Sequence, residues 1–255
     1  MKSMSLYVEK DSAIHRVDPI TKLAYIATAI AIPIIVPSLH AAWVCMLISF
    51  GLLAAGGVLR RGLAVMGFVG FVLVTVVIIQ GFFHVGNETV LFTAGTWPFY
   101  KEGLLFALGI SFRALNIVGA FLILVLTTKP SDLVEALVRK GLSPRIGYVL
   151  NSVFQIIPQM MATVGTITDA QRSRGVETEG RLMTRIKAFL PFIGPVVLSS
   201  LLDTKERTLA LQARGFNVPG RKTFLNEEKR YRHSGILRLA MLVIVTAALL
   251  WRIFT

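Results

Sequence analysis

The chain of 255 residues is 54% hydrophobic and only 16% charged, which excludes an ordinary soluble domain. Its net charge of +13 could suggest nucleic-acid binding, but 17 of the 27 lysines and arginines lie between residues 128 and 234. Positive charge beside apolar spans is typical of cytoplasmic loops facing anionic headgroups. The composition therefore predicts an all-α, polytopic membrane protein that contacts the lipid bilayer and binds no nucleic acid.

Five apolar segments are long enough to cross a membrane. A spanning helix needs about 20 mostly apolar residues. Segments of this kind cover residues 22–39, 41–59, 63–83, 104–127 and 235–254. Charges of both signs precede the first segment and no small-residue cleavage site follows it, so we expect no removed signal peptide. Asp18 before Pro19 is a good helix start, and we assign the pair no further role.

The uneven distribution of lysine and arginine predicts the orientation. The connection after the second span carries two arginines at 60–61, whereas the loop over residues 84–102 is almost neutral. That loop holds aromatic residues where an interfacial belt is expected, namely Trp97, Phe99 and Tyr100. The N-terminus and the basic segment are therefore predicted to be cytoplasmic.

These predictions divide the chain into four parts. They are a cytoplasmic N-terminal segment (1–21), transmembrane helices 1–4 (22–127), a cytoplasmic basic module (128–234) and a C-terminal transmembrane helix (235–255). The apolar run 186–202 tests this count. It has about 15 uncharged residues interrupted by two prolines, which is short for a spanning helix. We interpret it as an interfacial or protein-packed segment.

The basic module contains clear helix signals. The predicted helices run from about 130 to 140, from 144 to 174 with a bend at Pro158, and from about 195 to 214. Gly141 ends the first helix. The Ser143 hydroxyl is expected to cap the second, with Pro144 at the first helical position. The two longer helices carry more apolar surface than a solvated loop needs, so they should pack on each other, on the bilayer or on a partner.

Both of these longer helices end in the same way. The first ends in Ser173, Arg174 and Gly175, and the second in Ala213, Arg214 and Gly215. A cation in the last turn followed by glycine is an ordinary helix end, so a single copy would indicate only a cap. Two copies on consecutive helices, each with a small residue before the arginine, favour a surface that contacts another protein.

The two triplets resemble the paired Ala-Arg-Ser/Gly motifs of the transmembrane T component of energy-coupling factor (ECF) transporters, the EcfT/CbiQ-like family. Residues 15–23 are similar to the beginning of that family's first span, and residues 127–133 to the end of its fourth. These landmarks cover nearly the whole chain in the right order. One departure is Ser173, where alanine is more usual.

The resemblance implies a non-catalytic scaffold in the cell membrane of a prokaryote. Two cytoplasmic coupling helices would cross, and Arg174 and Arg214 would each enter a groove on one subunit of an ATPase dimer. A separate small membrane protein, the S component, would bind the vitamin or transition-metal ion that is transported. Arginine suits such a role because its planar guanidinium stays charged and can bind carboxylates through two hydrogen bonds.

Other functions lack the residues that they need. The four histidines are scattered, Cys45 is the single cysteine, and there is no Walker-type glycine loop. We therefore predict no catalytic residue, metal site or cofactor. An ion-coupled transporter usually has carboxylates within its spans, and these spans contain none. A conventional ABC importer permease with its own substrate pathway stays the alternative, although one acidic coupling loop would be expected there.

Arg113 and Asn116 form the notable polar pair within the predicted spans. We expect Arg113 to lie near the outer third of its helix. Its long side chain would extend to the membrane surface or bond neighbouring carbonyls. This expectation gives Arg113 a structural role only.

Overall fold

Helices dominate the computed structural model, which describes residues 6–86, 88–94, 97–175, 182–218, 223–224 and 233–254. The elements are α1 (Ala13–Arg16), α2 (Pro19–Ile35), α3 (Leu39–Ala55), α4 (Leu59–Phe83), β1 (Val90–Ala94), β2 (Trp97–Tyr100), α5 (Lys101–Thr127), α6 (Pro130–Arg139), α7 (Pro144–Ser173), α8 (Leu182–Ala213) and α9 (Ser234–Phe254). The apolar helices α2 to α5 and α9 lie where the five spans are predicted. The all-α, polytopic membrane class is thus confirmed.

The five apolar helices differ in length. Three of them, α4, α5 and α9, have 25, 27 and 21 residues and are long and apolar enough to cross a membrane. The other two, α2 and α3, have 17 residues each. At 1.5 Å per residue, α2 and α3 are about 25 Å long and α5 is about 40 Å long. The bundle therefore combines long and short apolar helices.

The chain divides into two compact units. The segment Gly141–Glu227 contains α7 and α8 and forms the two-helix unit. The segments Ser5–Lys140 and Glu228–Thr255 contain the other elements and form the helical bundle. The short helix α6 therefore belongs to the helical bundle, where it packs against α2.

Helix α5 is the centre of the helical bundle and packs against α2, α3 and α4, while α9 packs against α2. Small residues permit the close approach, as is usual between membrane helices. Ala107 and Ala120 on α5 are fully buried. A Cβ atom added to Gly103 would lie only 2.1 Å from the backbone oxygen of Gln80, so glycine is required where α4 meets α5.

A network of hydrogen bonds joins α2, α3 and α5 within the bundle. Pro33 lies inside α2 and has no N–H, so the carbonyl of Ala29 lacks its helical donor. The Asn116 amide donates to that carbonyl at 2.7 Å and accepts from the Ser49 hydroxyl at 2.7 Å. Tyr25 bonds the same hydroxyl at 2.7 Å. A buried polar side chain on α5 thus replaces the donor that proline removes from α2.

The connection between α4 and α5 differs from the prediction. It contains an antiparallel hairpin, β1 with β2, where a loop was expected. Phe99 is buried at 8% exposure and stacks on Phe92. A Cβ added to Gly81 would lie 2.1 Å from the Phe99 ring. The prediction that Phe99 belongs to an interfacial belt is wrong, because its ring fills space inside the protein.

The end of α6 and the starts of α7 and α8 agree with the sequence predictions to different degrees. Gly141 follows α6 with a φ of +116°, which confirms its role as terminator. Ser143 is the N-cap residue of α7, but its hydroxyl makes no cap hydrogen bond. Helix α8 begins at Leu182 and runs through both prolines of its apolar part, so the predicted start near Pro195 is wrong. Each proline removes one hydrogen bond and bends a helix without having to end it.

Candidate functional site

Helices α7 and α8 form an antiparallel pair that carries the two predicted arginines. The ring of Tyr148, near the start of α7, lies 5.3 Å from the ring of Phe216, just beyond the end of α8. Midway along α7, the Gln159 side chain accepts a hydrogen bond from the Arg207 guanidinium at 2.5 Å. The ends of α7 and α8 therefore point in opposite directions, and Arg174 and Arg214 lie at opposite ends of the pair.

A small cavity lined by both polar and apolar side chains marks the place where α7 and α8 cross. Its lining includes Gln159 and Thr163 from α7, and Ser200, Asp203 and Arg207 from α8. About 15 residues, or roughly 22 Å of helix, separate this crossing from the end of α7. On α8 the corresponding distance is about 10 Å.

The end of α7 has the geometry that the sequence predicts. Ser173 is the last helical residue, and its hydroxyl bonds the backbone oxygen of Asp169 at 3.1 Å. Arg174 occupies the C-cap position. Gly175 follows with a φ of +83°, and its N–H bonds the carbonyl of Arg172 at 3.0 Å. The left-handed conformation at Gly175 is confirmed.

The end of α8 repeats this geometry. Gly215 has a φ of +72°, and its N–H bonds the carbonyl of Gln212 at 3.0 Å. The N–H of Phe216 bonds the carbonyl of Leu211 at 3.0 Å. These two bonds form a Schellman motif, which fixes how the chain leaves the helix. Arg214 therefore occupies the same position at its helix end as its counterpart on α7.

Both arginine side chains are exposed. Within the described ranges, neither Arg174 nor Arg214 makes a side-chain hydrogen bond or an ion pair. The small neighbours Ser173 and Ala213 are also exposed and leave the guanidinium groups accessible. The six predicted site residues thus form two equivalent, separate tips rather than one pocket.

Comparison with known proteins shows the family of the chain. The family described as "Cobalt transport protein", CbiQ, matches residues 10–224, a range that includes both tips. The chain belongs to the CbiQ/EcfT family. A Lactococcus lactis protein is 30% identical over 266 residues, 97% of each chain. A Streptococcus equi protein is 32% identical over 225 residues, 82% of this chain and 81% of that one. Each is named an energy-coupling factor transporter transmembrane protein, EcfT.

The two other landmarks of the CbiQ/EcfT resemblance meet at one end of the helical bundle. Lys22 is only 4% exposed, and its ammonium group donates to the Thr127 carbonyl at 3.0 Å and to the Thr128 hydroxyl at 2.9 Å. More than 100 residues separate these partners in sequence. These hydrogen bonds thus hold the start of α2 against the end of α5. The signal in the sequence was a lysine at the edge of an apolar span.

Asp18 has a role that sequence reasoning missed. It is the N-cap residue of α2, as predicted, but its carboxylate makes no cap hydrogen bond. Asp18 is buried, and its carboxylate pairs with Arg238 of α9 at 3.4 Å. At the other end of α2, Arg252 donates to the carbonyls of Ile34 and Ile35 at 2.9 and 3.1 Å. Two arginines therefore attach α9 to both ends of α2.

The predicted pair of Arg113 and Asn116 separates in the structure. Asn116 belongs to the hydrogen-bond network described above. Arg113 lies 12 residues after the start of α5 and 14 before its end, at mid-helix, so the prediction of an outer-third position is wrong. Its Nε atom is buried and has no hydrogen-bond partner among the described residues.

Proposed function

We propose that the chain is the transmembrane energy-coupling component of an ECF-type importer. It links a cytoplasmic ATPase dimer to a separate substrate-binding S component in a prokaryotic cell membrane. The observation that carries the proposal is the pair of equivalent, exposed Arg-Gly motifs, which follow the last residues of α7 and α8 and lie at opposite ends of the antiparallel pair. Two tips match two ATPase subunits, identical or not.

Each tip is a cation on a rigid support. Arg174 and Arg214 stand at helix C-termini, where a positive charge complements the dipole and the guanidinium remains available for an anionic partner. The left-handed glycine turns the chain away from the tip. Displacement of an ATPase subunit would then move the whole helix rather than a flexible loop. Hydrolysis of ATP belongs to the partner chains in this proposal.

The apolar surface of the two-helix unit supports a second partner. Many large apolar side chains of α7 and α8 are exposed, among them Ile146, Val149, Val153, Met161, Val197, Leu198, Leu201 and Leu209. Contiguous apolar surface of this kind marks a contact with protein or membrane. We assign it to the S component, which binds a vitamin or a transition-metal ion. The N-terminus and α7 and α8 are then cytoplasmic.

The proposal is tested with variants of the two tips. If Arg174 and Arg214 only complement helix dipoles, replacing either with alanine costs about 0.3–1 kcal/mol locally and uptake survives. If each is desolvated against a carboxylate, truncation costs about 2–5 kcal/mol of ATPase association. We expect the double alanine variant to insert normally and to lose ATPase capture and uptake. The measurement is pull-down and uptake on one membrane preparation.

Two controls make this test specific. Lys205→Ala removes an exposed cation from α8 away from the tip and should leave both readouts unchanged. Arg→Lys at both tips should restore little, because ammonium cannot make two parallel bonds to a carboxylate. Near-normal uptake by the double alanine variant would contradict docking. Saturable substrate binding by the purified chain alone would instead indicate a conventional permease.

A further inference from the structure

Contacts along α3 and α5 reveal a step at one end of the helical bundle. These helices run in the same direction, because a Cβ at Gly109 would lie 3.9 Å from Leu39 and a Cβ at Gly119 would lie 3.1 Å from Ser49. The start of α3 is therefore level with Gly109, eight residues into α5. At 1.5 Å per residue, α5 extends about 12 Å beyond that level. We call this difference in height the step.

Arg113 lies on the face of α5 that borders the step. It is one helical turn after Gly109, which faces Leu39, and three residues before Asn116, which bonds α2 and α3. Helical side chains lean toward the N-terminus of their helix. The N-terminus of α5 is at the hairpin end of the bundle. This lean would carry the long side chain of Arg113 toward the step.

The Arg113 side chain has no counter-charge in the described part of the chain. It is half-buried, its Nε atom is buried without a hydrogen-bond partner, and it makes no ion pair there. The sequence contains no aspartate or glutamate in 19–87, 103–131 or 234–255, which cover the five apolar helices except the first two residues of α5. Glu102, in that first turn, bonds Thr89 instead. A guanidinium cannot lose its proton in a protein, so Arg113 stays charged, and a counter-charge for it would have to be an anion that the described residues do not supply.

The bilayer itself offers this anion at the step. Helices α2 and α3 are about 25 Å long, whereas the hydrocarbon layer is about 30 Å thick. Lipid accommodates short helices by local thinning, which brings headgroups toward the helix ends. A phosphate accepts two parallel hydrogen bonds from a guanidinium. Thinning occurs wherever the chain is embedded, which favours lipid over the carboxylate of another protein.

We propose that Arg113 binds the phosphate of a phospholipid headgroup drawn into the step between α3 and α5. The guanidinium donates its free Nη hydrogens to the phosphate, and the acyl chains cover the ends of the short helices. This assignment does not depend on the transport function. It gives the arginine at mid-helix a ligand that compensates for its desolvation.

The test uses the full-length chain in detergent, titrated with dihexanoyl phosphatidylglycerol by calorimetry. Wild type should bind the lipid, and Arg113→Met, which keeps a long side chain without charge, should weaken binding at least tenfold. Arg113→Lys should retain more affinity than the methionine variant. Arg60→Met removes an exposed cation at the start of α4 and should change affinity less than twofold.

A matched lipid keeps the proposal testable even if the methionine variant does not fold. Dihexanoylglycerol has the same acyl chains without a phosphate, and wild type should bind it at least tenfold more weakly. Equal binding of the two lipids by wild type would overturn the proposal. Binding by folded Arg113→Met within twofold of wild type would also overturn it. If that variant instead lost a membrane protein partner and kept its lipid affinity, the anion would be a carboxylate of that partner.

Discussion

At the scale of single residues, the helical bundle is organised by polar groups that compensate for one another. Pro33 removes a donor from α2, and Asn116 supplies one from α5 at 2.7 Å. A buried carbonyl without a partner costs about 1–3 kcal/mol, so the hydrogen bond from Asn116 should contribute measurably to the free energy of unfolding. The same residue also accepts from Ser49, which extends the compensation to α3. One amide thus fixes the relative positions of three helices.

The loss of stability on replacing Asn116 should depend on whether Pro33 is present. Asn116→Leu should lower the free energy of unfolding by about 1–3 kcal/mol, because the Ala29 carbonyl loses its donor. In a Pro33→Ala background the loss should be smaller, since an alanine N–H can bond that carbonyl. Unfolding in mixed micelles measures both. Thr75→Val, at an exposed position on α4, is the control. Equal losses in the two backgrounds would contradict this account.

At the scale of secondary-structure elements, close packing depends on where glycine is placed. Gly103 on α5 meets the backbone of α4, whereas a Cβ atom added to Gly70 on α4 would have nothing within 4 Å. An added methyl group would therefore clash at Gly103 and meet open space at Gly70. The N-terminal segment adds another contact between elements, because the N–H of Val8 bonds the carbonyl of Leu126 at 2.9 Å.

Replacement of these two glycines with alanine should have opposite effects. Gly103→Ala should destabilise the bundle by about 1–3 kcal/mol, because the new methyl group would overlap the Gln80 carbonyl and push α4 from α5. Gly70→Ala should be neutral or stabilise by about 0.5–1 kcal/mol, since alanine is the better helix former. Unfolding midpoints of the two variants give the comparison. A stable Gly103→Ala protein would show that α4 and α5 are not in this contact.

The N-terminal segment should respond to pH through His15. This imidazole bonds the Ser12 hydroxyl at 2.7 Å and the Val8 carbonyl at 2.9 Å. Burial is the main cause that lowers the pKa of His15, and the charges of Lys22 and Lys10 act in the same direction. The Val8 hydrogen bond and Asp11 oppose the shift without cancelling it.

A histidine with a lowered pKa favours the unfolded chain when it takes up a proton. Its contribution to stability should be complete above the ordinary value near 6.5 and should be lost as the pH falls through the folded value. Thermal unfolding of wild type between pH 8 and about pH 5 measures the loss. His15→Gln should show a weaker pH dependence over the same range. An identical pH dependence of the two proteins would exclude His15 as the cause.

At the scale of the whole molecule, the docking proposal requires the ends of α7 and α8 to lie on the same side of the membrane. Positive charge on residues 128–234 favours the cytoplasm. Because α8 contains the apolar run 186–202, labelling has to test whether this run crosses the membrane.

Cysteine labelling decides this point. In a Cys45→Ala background, Thr178→Cys and Val218→Cys should react only with reagents that reach the cytoplasm. Both positions are close in sequence to a tip, so each reports its side directly. A cysteine introduced at Trp97, in the connection between α4 and α5, should react only from outside and serves as the opposite control. Labelling of positions 178 and 218 from different sides would contradict the coupling-helix arrangement.

Local features of the sequence determined the helices and both tips. Apolar runs of sufficient length define the five apolar helices, and Gly175 and Gly215 end α7 and α8 in the predicted left-handed conformation. These features could be predicted because a helix and its end depend on neighbours within a few residues. The predicted start of α8 was wrong because proline weakens a helix without having to end it.

Only the tertiary structure decided which distant residues meet. The bond of Lys22 to Thr127, the ion pair of Asp18 with Arg238 and the burial of Phe99 each join segments that no local pattern relates. The mid-helix position of Arg113 beside the step likewise follows from the register of α3 against α5. Such pairings depend on complementary shape and on satisfying buried polar groups across the bundle. A local pattern shows that a polar residue is present, whereas the packing of the helices determines which residue it contacts.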